Sequence, residues 1–208
     1  MLKRHFKDRA FTLVSSIANA MGNPRRLEIL ELLTNAPKNV DTIAKECRIT
    51  TANASQHLQR LKRVNLVKTR KQQTTIFYSL TNPRLTDLIL ALHALAHEQV
   101  HELDDLLETF RKDYGTTDSS GQEVESTAAD AQLIDVRPID EFEWDHHPHA
   151  ISIPMKHLSK RCSRLDASKL VVVYCRGELC TLADEAVHFL ISKGFNAVRL
   201  NDYLYQSA

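Results

Sequence analysis

Residues that staple or punctuate a chain are scarce here: 208 residues include four cysteines, five glycines and one tryptophan. Four thiols (Cys47, Cys162, Cys175, Cys180) in a chain this long are too few for a disulfide scaffold and read as reactive or incidental cysteines. No apolar run approaches the roughly 20 residues of a membrane helix. The start MLKRHFKDRAF has no continuous apolar core of the secretion-signal kind. A cytoplasmic protein without a membrane partner is expected, with room for one large domain or two small ones.

The overall charge of +1 hides a division. Residues 1–112 hold 18 Lys+Arg against 11 Asp+Glu, whereas 113–208 hold 9 against 15. A basic half joined to an acidic half implies that only the first meets a polyanion. The segment 113–127 is polar, carries two of the five glycines and a single aliphatic residue, Val124, and is the expected linker. The expected organisation is a first domain over 1–112, a linker over 113–127 and a second domain over 128–208.

Helical apolar spacing appears in Phe11, Val14, Ile17 and Ala18, then in Leu27, Leu30 and Leu33, with Asn23-Pro24 between. A short helix near 41–47 and a turn at Arg48-Ile49 lead to Thr50-Thr51, which caps a predicted helix over 51–64. β-favouring residues in 66–69 and 76–80 flank the polar tip Arg70 to Thr75 and predict a hairpin. After Asn82-Pro83 one long helix is predicted, with apolar residues from Leu85 to Phe110. So wide a stripe needs a partner, expected to be the same helix of a second subunit in a homodimer. Beyond the linker, predicted strands at 132–136, 150–153, 170–174 and 197–200 alternate with helices at 138–144 and 181–193, the pattern of a parallel α/β sheet.

Between residues 45 and 71 eight basic side chains stand against one acid, Glu46, and backbone phosphates are the obvious counter-charge. On the 51–64 helix, Ala54, Leu58 and Leu61 fall on a core side, which leaves Thr51, Asn53, Gln56, His57 and Arg60 outward. Such side chains at a helix start can read base edges in a major groove. Arg70, Lys71 and Gln72 make the hairpin end basic and glutamine-rich. The alternative is a solvated basic face on a helical domain.

The stretches NPRRLEILELL, IAKECRITTANASQHLQRLKRVNLVKTRKQQTTIFYSL and NPRLTDLILAL together resemble the ArsR-type winged-helix repressors, over nearly all of 15–110. The most specific part is Ala54-Ser55-Gln56-His57-Leu58, followed by Asn65-Leu66-Val67. The resemblance implies a homodimer on double-stranded operator DNA, Ser55 included in the contact surface, released by an inducer, a metal or an oxidant. Many members carry a Cys-x-Cys metal site where this chain has Asn39-Val40-Asp41-Thr42, so that site is absent. A second family site uses Asp and His ligands on the last helix. Here His93, His97 and His101 form a column that could hold a metal, although the usual acid-x-histidine start is missing. Histidines flanking the dimer seam are the expected reading, so neither metal nor cofactor is expected.

In the second half Val171-Val172-Val173-Tyr174 runs into Cys175-Arg176-Gly177-Glu178-Leu179-Cys180, and Thr181 opens an amphipathic helix. A cysteine at a strand–loop–helix junction sits among converging N–H groups at the positive end of a helix dipole, which stabilises a thiolate or persulfide. Arg176 adds a cation for an anionic donor. The alternative is a buried cysteine that ends a core strand.

Leu133-Ile134-Asp135-Val136-Arg137-Pro138, Glu141-Phe142, Ala150-Ile151-Ser152-Ile153-Pro154 and the cysteine loop resemble rhodanese-type sulfurtransferases in order and spacing, over about 130–202. The resemblance implies that Cys175 takes sulfane sulfur from thiosulfate or polysulfide and passes it to a thiol acceptor. Asp135, Arg137 and loop residues 176–180 would complete the catalytic set. Three departures stand out. The family's Gly-His-x-x-Gly-Ala is here Asp145-His146-His147-Pro148-His149-Ala150, the glycine turn and tryptophan-bearing helix at the end are replaced by Asn201 to Ala208, and the loop carries a second thiol, Cys180. Cys180 could resolve a persulfide on Cys175 into a disulfide, or merely pack at the helix start.

The fold class expected is thus a mainly α winged helix-turn-helix domain followed by an α/β rhodanese-like parallel sheet. Function is expected to be transcriptional regulation coupled to a persulfide on Cys175. The alternatives are a sulfurtransferase that uses its winged helix for dimerisation, or a metal-responsive repressor built on the His93/His97/His101 column.

Overall fold

A computed structural model describes residues 2–116, the backbone of 118–119, and residues 131–200. The chain divides into two compact units, Met1–Leu95 and Ala96–Ala208. The first contains α1 (Leu2–Met21), α2 (Pro24–Asn35), β1 (Lys38–Asn39), α3 (Val40–Glu46), α4 (Thr51–Arg63), β2 (Val67–Gln72), β3 (Thr75–Leu80) and most of α5 (Arg84–Gln99). Local chemistry starts α2, α3 and α4. Pro24 occupies the first turn of α2 and the Asn23 side chain accepts from the Arg26 amide, while Thr50 Oγ1 accepts from the Asn53 amide at 3.2 Å to start α4. Ile29, Leu30, Ile43, Ala54, Leu58 and Leu61 are fully buried in one core. β1, β3 and β2 form an antiparallel sheet in that order, and β2 and β3 are joined through the two-residue turn Gln73-Thr74.

The second unit holds α6 (His101–Tyr114), β4 (Asp118–Ser119), β5 (Gln132–Asp135), α7 (Ile139–Trp144), β6 (Ile151–Ser152), α8 (Met155–Arg161), a 3-10 turn at Cys162–Arg164, β7 (Val171–Tyr174), α9 (Leu182–Ser192) and β8 (Ala197–Leu200). All pairings are parallel, in the order β4-β8-β7-β5-β6. β7 is central, and its unbroken apolar run follows from burial on both faces. Val171, Val173 and Cys175 enter a core with Ala183, Ala186, Val187 and Leu190 of α9, while Val172 and Tyr174 enter a second cluster with Leu200.

Three features depart from expectation. The long helix after Pro83 is two helices: Val100 leaves helical geometry at φ −126° and ψ 78°. The unit boundary falls inside α5 rather than near residue 112, and α6 packs with the second unit. Part of the expected linker is structured, since α6 extends to Tyr114, stopped by Gly115 at φ +63°, and Asp118–Ser119 pair with Arg199 and Leu200. Its remainder and the departure at 201–208 lie outside the described residues. Among the described residues no helix is long and apolar enough to cross a membrane.

Candidate functional site

α4 carries the expected DNA-facing set. Thr51, Asn53, Gln56 and Arg60 are exposed and Ser55 and His57 half-buried, opposite the core side chains Ala54, Leu58 and Leu61. Burial together with the nearby charges of Arg26 and Arg25 holds His57 below the usual histidine range, toward the neutral imidazole. At the far end of β2, Arg70, Lys71 and Gln72 are exposed beside the hairpin turn. Lys62 at the end of α4 donates to Thr69 Oγ1 of β2 at 3.0 Å, which ties helix to wing.

The three histidines of the column part company. His93 Nε2 lies 3.9 Å from Glu31 of α2, and His101 is exposed at the start of α6. His97 bonds Asp104 of α6 through Nδ1 and meets Glu178 of the cysteine loop at 2.9 Å through Nε2. The Asp104 and Glu178 carboxylates raise the His97 pKa against the effect of burial, favouring the imidazolium. Among the described residues no group of three or more His, Cys, Asp or Glu side chains is arranged to hold a metal ion.

Cys175 lies at the carboxyl end of β7 and is 4% exposed. A loop turning through Gly177 at φ +151°, a setting other residues avoid, carries the chain from β7 toward α9. Burial alone would push the Cys175 thiol up. Hydrogen bonding with the Cys180 thiol, the charge of Arg199 and the N–H groups of Gly177 and Ala183 outweigh it and bring the pKa down to about 7. Cys180 moves the opposite way, held protonated by its hydrogen bond to Cys175 and by burial. The two thiols are thus shifted in opposite directions within one loop, Cys175 toward the thiolate and Cys180 toward the protonated form.

Other members of the expected set have different surroundings. Arg176, expected to offer its charge to a donor, instead lies along the carboxylate of Glu141, with contacts of 2.7 to 3.1 Å. Glu141 is fully buried in α7, and the Arg176 guanidinium helps to answer its charge there. Asp135 and Arg137 form a forked pair at 2.7 to 3.1 Å, both at 0% exposure, and Arg137 also donates to the Asp145 carbonyl at 2.7 Å. They brace the end of β5. Leu179 is 41% exposed.

Residues 23–69 match the bacterial regulatory protein family arsR, and residues 120–203 match the rhodanese-like domain. The HTH-type transcriptional regulator Rv0324 of Mycobacterium tuberculosis is 31% identical over 193 residues, covering 91% of this chain and 84% of its own. The chain belongs to the ArsR family of transcriptional regulators and carries a rhodanese-like domain. The transcriptional activator HlyU of Vibrio cholerae is 37% identical over 79 residues, covering 38% of this chain and 73% of its own. Among solved structures, a homodimeric winged helix-turn-helix DNA-binding domain of a possible ArsR-family regulator from Mycobacterium bovis is 30% identical. It covers 45% of this chain and 87% of that domain, with a TM-score of 0.43.

In this ArsR-family regulator the second domain thus keeps the cysteine loop of the rhodanese-like pattern but surrounds it with charges that sequence reading did not assign. Glu141, Asp184, Arg199 and His97 all reach the loop or its supports. For Arg199 the available signal is a charged residue within the apolar strand Ala197-Val198-Arg199-Leu200. His149, at φ +65°, occupies a left-handed turn where the rhodanese pattern has glycine.

Proposed function

We propose that this regulator binds operator DNA as a homodimer and that a persulfide on Cys175 changes its hold on that DNA. The observation that carries the sulfur half is the pairing of a lowered Cys175 with a protonated Cys180 inside one loop. The Cys175 thiolate attacks the outer sulfur of a polysulfide or thiosulfate. A Cys175 persulfide forms as the donor's S–S bond breaks, and a polysulfide shorter by one sulfur, or sulfite from thiosulfate, leaves. Cys180 then attacks the inner sulfur of that persulfide. A Cys175–Cys180 disulfide forms, and hydrosulfide departs with the Cys180 proton. The sulfane donor is the oxidant, and an outside thiol that takes the outer sulfur first completes a transfer instead.

Dimerisation is supported by apolar side chains left exposed on the terminal helices of the first unit: Phe11 and Val14 on α1, and Leu88, Leu92 and Leu95 on α5. Coupling is supported by the Glu178–His97 contact of the second unit, because His97 follows directly in the chain on the last residues of the DNA-binding unit. The test is mass measurement of the peptide holding Cys175 and Cys180 after polysulfide treatment of the full chain. Gain of one sulfur atom, or loss of two hydrogens, is expected, and neither should appear in Cys175→Ser. An unchanged wild-type peptide would overturn the reading.

A further inference from the structure

We propose that Arg199 is the positioning residue of the Cys175 loop: from β8 its guanidinium clamps the loop backbone and supplies the positive charge that faces the sulfur. This rests on the reading of Cys175 as the reactive thiol. Arg199 Nη2 donates to the carbonyl of Gly177 at 2.8 Å and to that of Glu178 at 3.0 Å, two residues of the loop itself. Because a trans peptide is planar, fixing those carbonyls sends the N–H groups of Glu178 and Leu179 to the side away from the guanidinium. One side chain therefore sets the orientation of two consecutive loop peptides.

The guanidinium is 1% exposed, and a charge removed that far from water persists only where other groups answer it. Asp184 of α9, 2% exposed, approaches Arg199 Nε at 3.5 Å and accepts from Thr116 Oγ1 at 3.1 Å. Burial raises the Asp184 pKa against the pull of Arg199 and Thr116. The loop also answers Arg199, with two carbonyls in contact and the Cys175 sulfur within its field. Arg176 does not substitute for it. That residue lies on the buried Glu141 carboxylate, and its field acts on Cys180. The charged and titratable groups around the sulfur are thus Cys180, the Arg176–Glu141 pair, Glu178, Asp184 and Arg199. Among the described residues, Arg199 combines a cationic field at Cys175 with direct hold on the loop backbone.

The test is the pH profile of Cys175 alkylation by iodoacetamide in the full chain, read by mass on the loop peptide. Arg199→Gln should move the midpoint up by about one pH unit or more, equivalent to roughly fivefold less thiolate at neutral pH. Arg199→Lys should recover part of the shift, since charge returns without the two-pronged grip. Asp184→Asn should move the midpoint down, because removing that negative neighbour leaves the Arg199 charge acting more strongly on the thiolate. A residue that mattered only for folding would shift both Arg199→Gln and Asp184→Asn upward together, without rescue by lysine. That outcome, or a wild-type profile in Arg199→Gln, overturns the proposal. Should Arg199→Gln fail to fold, Asp184→Asn decides alone: a fall supports the proposal and a rise overturns it. No sulfur donor enters this measurement. A wild-type peptide that gains no sulfur from polysulfide sinks the sensing reading while leaving Arg199 to be judged on its own profile.

Discussion

Helix α4, proposed here to read DNA, and the cysteine loop solve opposite problems. On α4 the proposed contact residues Thr51, Asn53, Gln56 and Arg60 are exposed, and their partners would come from outside. In the cysteine domain Asp135, Arg137, Glu141, Cys175, Asp184 and Arg199 are all buried, and each charge is answered from within. The lesson is that an exposed site tolerates loss of one member, whereas an enclosed network transmits it. Substitutions in the two regions should therefore differ in kind: lost affinity at one, lost stability or altered thiol chemistry at the other.

The largest expected effect breaks the enclosed network. Asp135→Asn leaves Arg137 buried beside a neutral amide, and loss of one partner of a buried pair costs about 3–5 kcal/mol. Denaturant unfolding should show that loss in the transition of the second unit, with DNA binding by the first largely retained. On the exposed side, Gln56→Ala should weaken operator binding by about 1–3 kcal/mol and relax base preference while leaving the melting curve in place. Neutralising Arg70 and Lys71 together should instead weaken all sequences alike and lower the salt dependence of binding.

A smaller effect of opposite sign is expected at His149, which holds φ +65° without glycine's freedom. His149→Gly should stabilise the second unit by about 1 kcal/mol, and denaturant titration reads it. The smallest concerns His97. Its folded pKa is raised, so its contribution is complete below the unfolded histidine value and disappears as pH climbs through the folded one. His97→Gln should flatten that part of the stability–pH curve. A curve identical to wild type would mean that the contacts with Asp104 and Glu178 carry no energy.

How legible each region is in the sequence follows the same division. Helix starts at Asn23-Pro24 and Thr50, the hairpin, and the strand entering Cys175 are local signals, and the elements form where those residues stand. The exposed residues of α4 follow from helical spacing alone. What stays hidden depends on contacts distant in sequence. Nothing near Arg176 in the chain points to Glu141, 35 positions earlier, and nothing near Cys175 points to Arg199. The break at Val100 was masked because apolar residues resume at Leu103 on a second helix, and the role of α6 beside the cysteine domain follows from packing rather than composition.

The most direct test of the account measures operator affinity of the full chain before and after polysulfide, in wild type and in Cys175→Ser. The account predicts that wild-type affinity changes several-fold in step with sulfur on the Cys175 peptide and is restored by a thiol reductant, while Cys175→Ser binds DNA normally and does not respond. An equal response in both proteins, or a wild type that carries the persulfide with its DNA affinity unmoved, would contradict it.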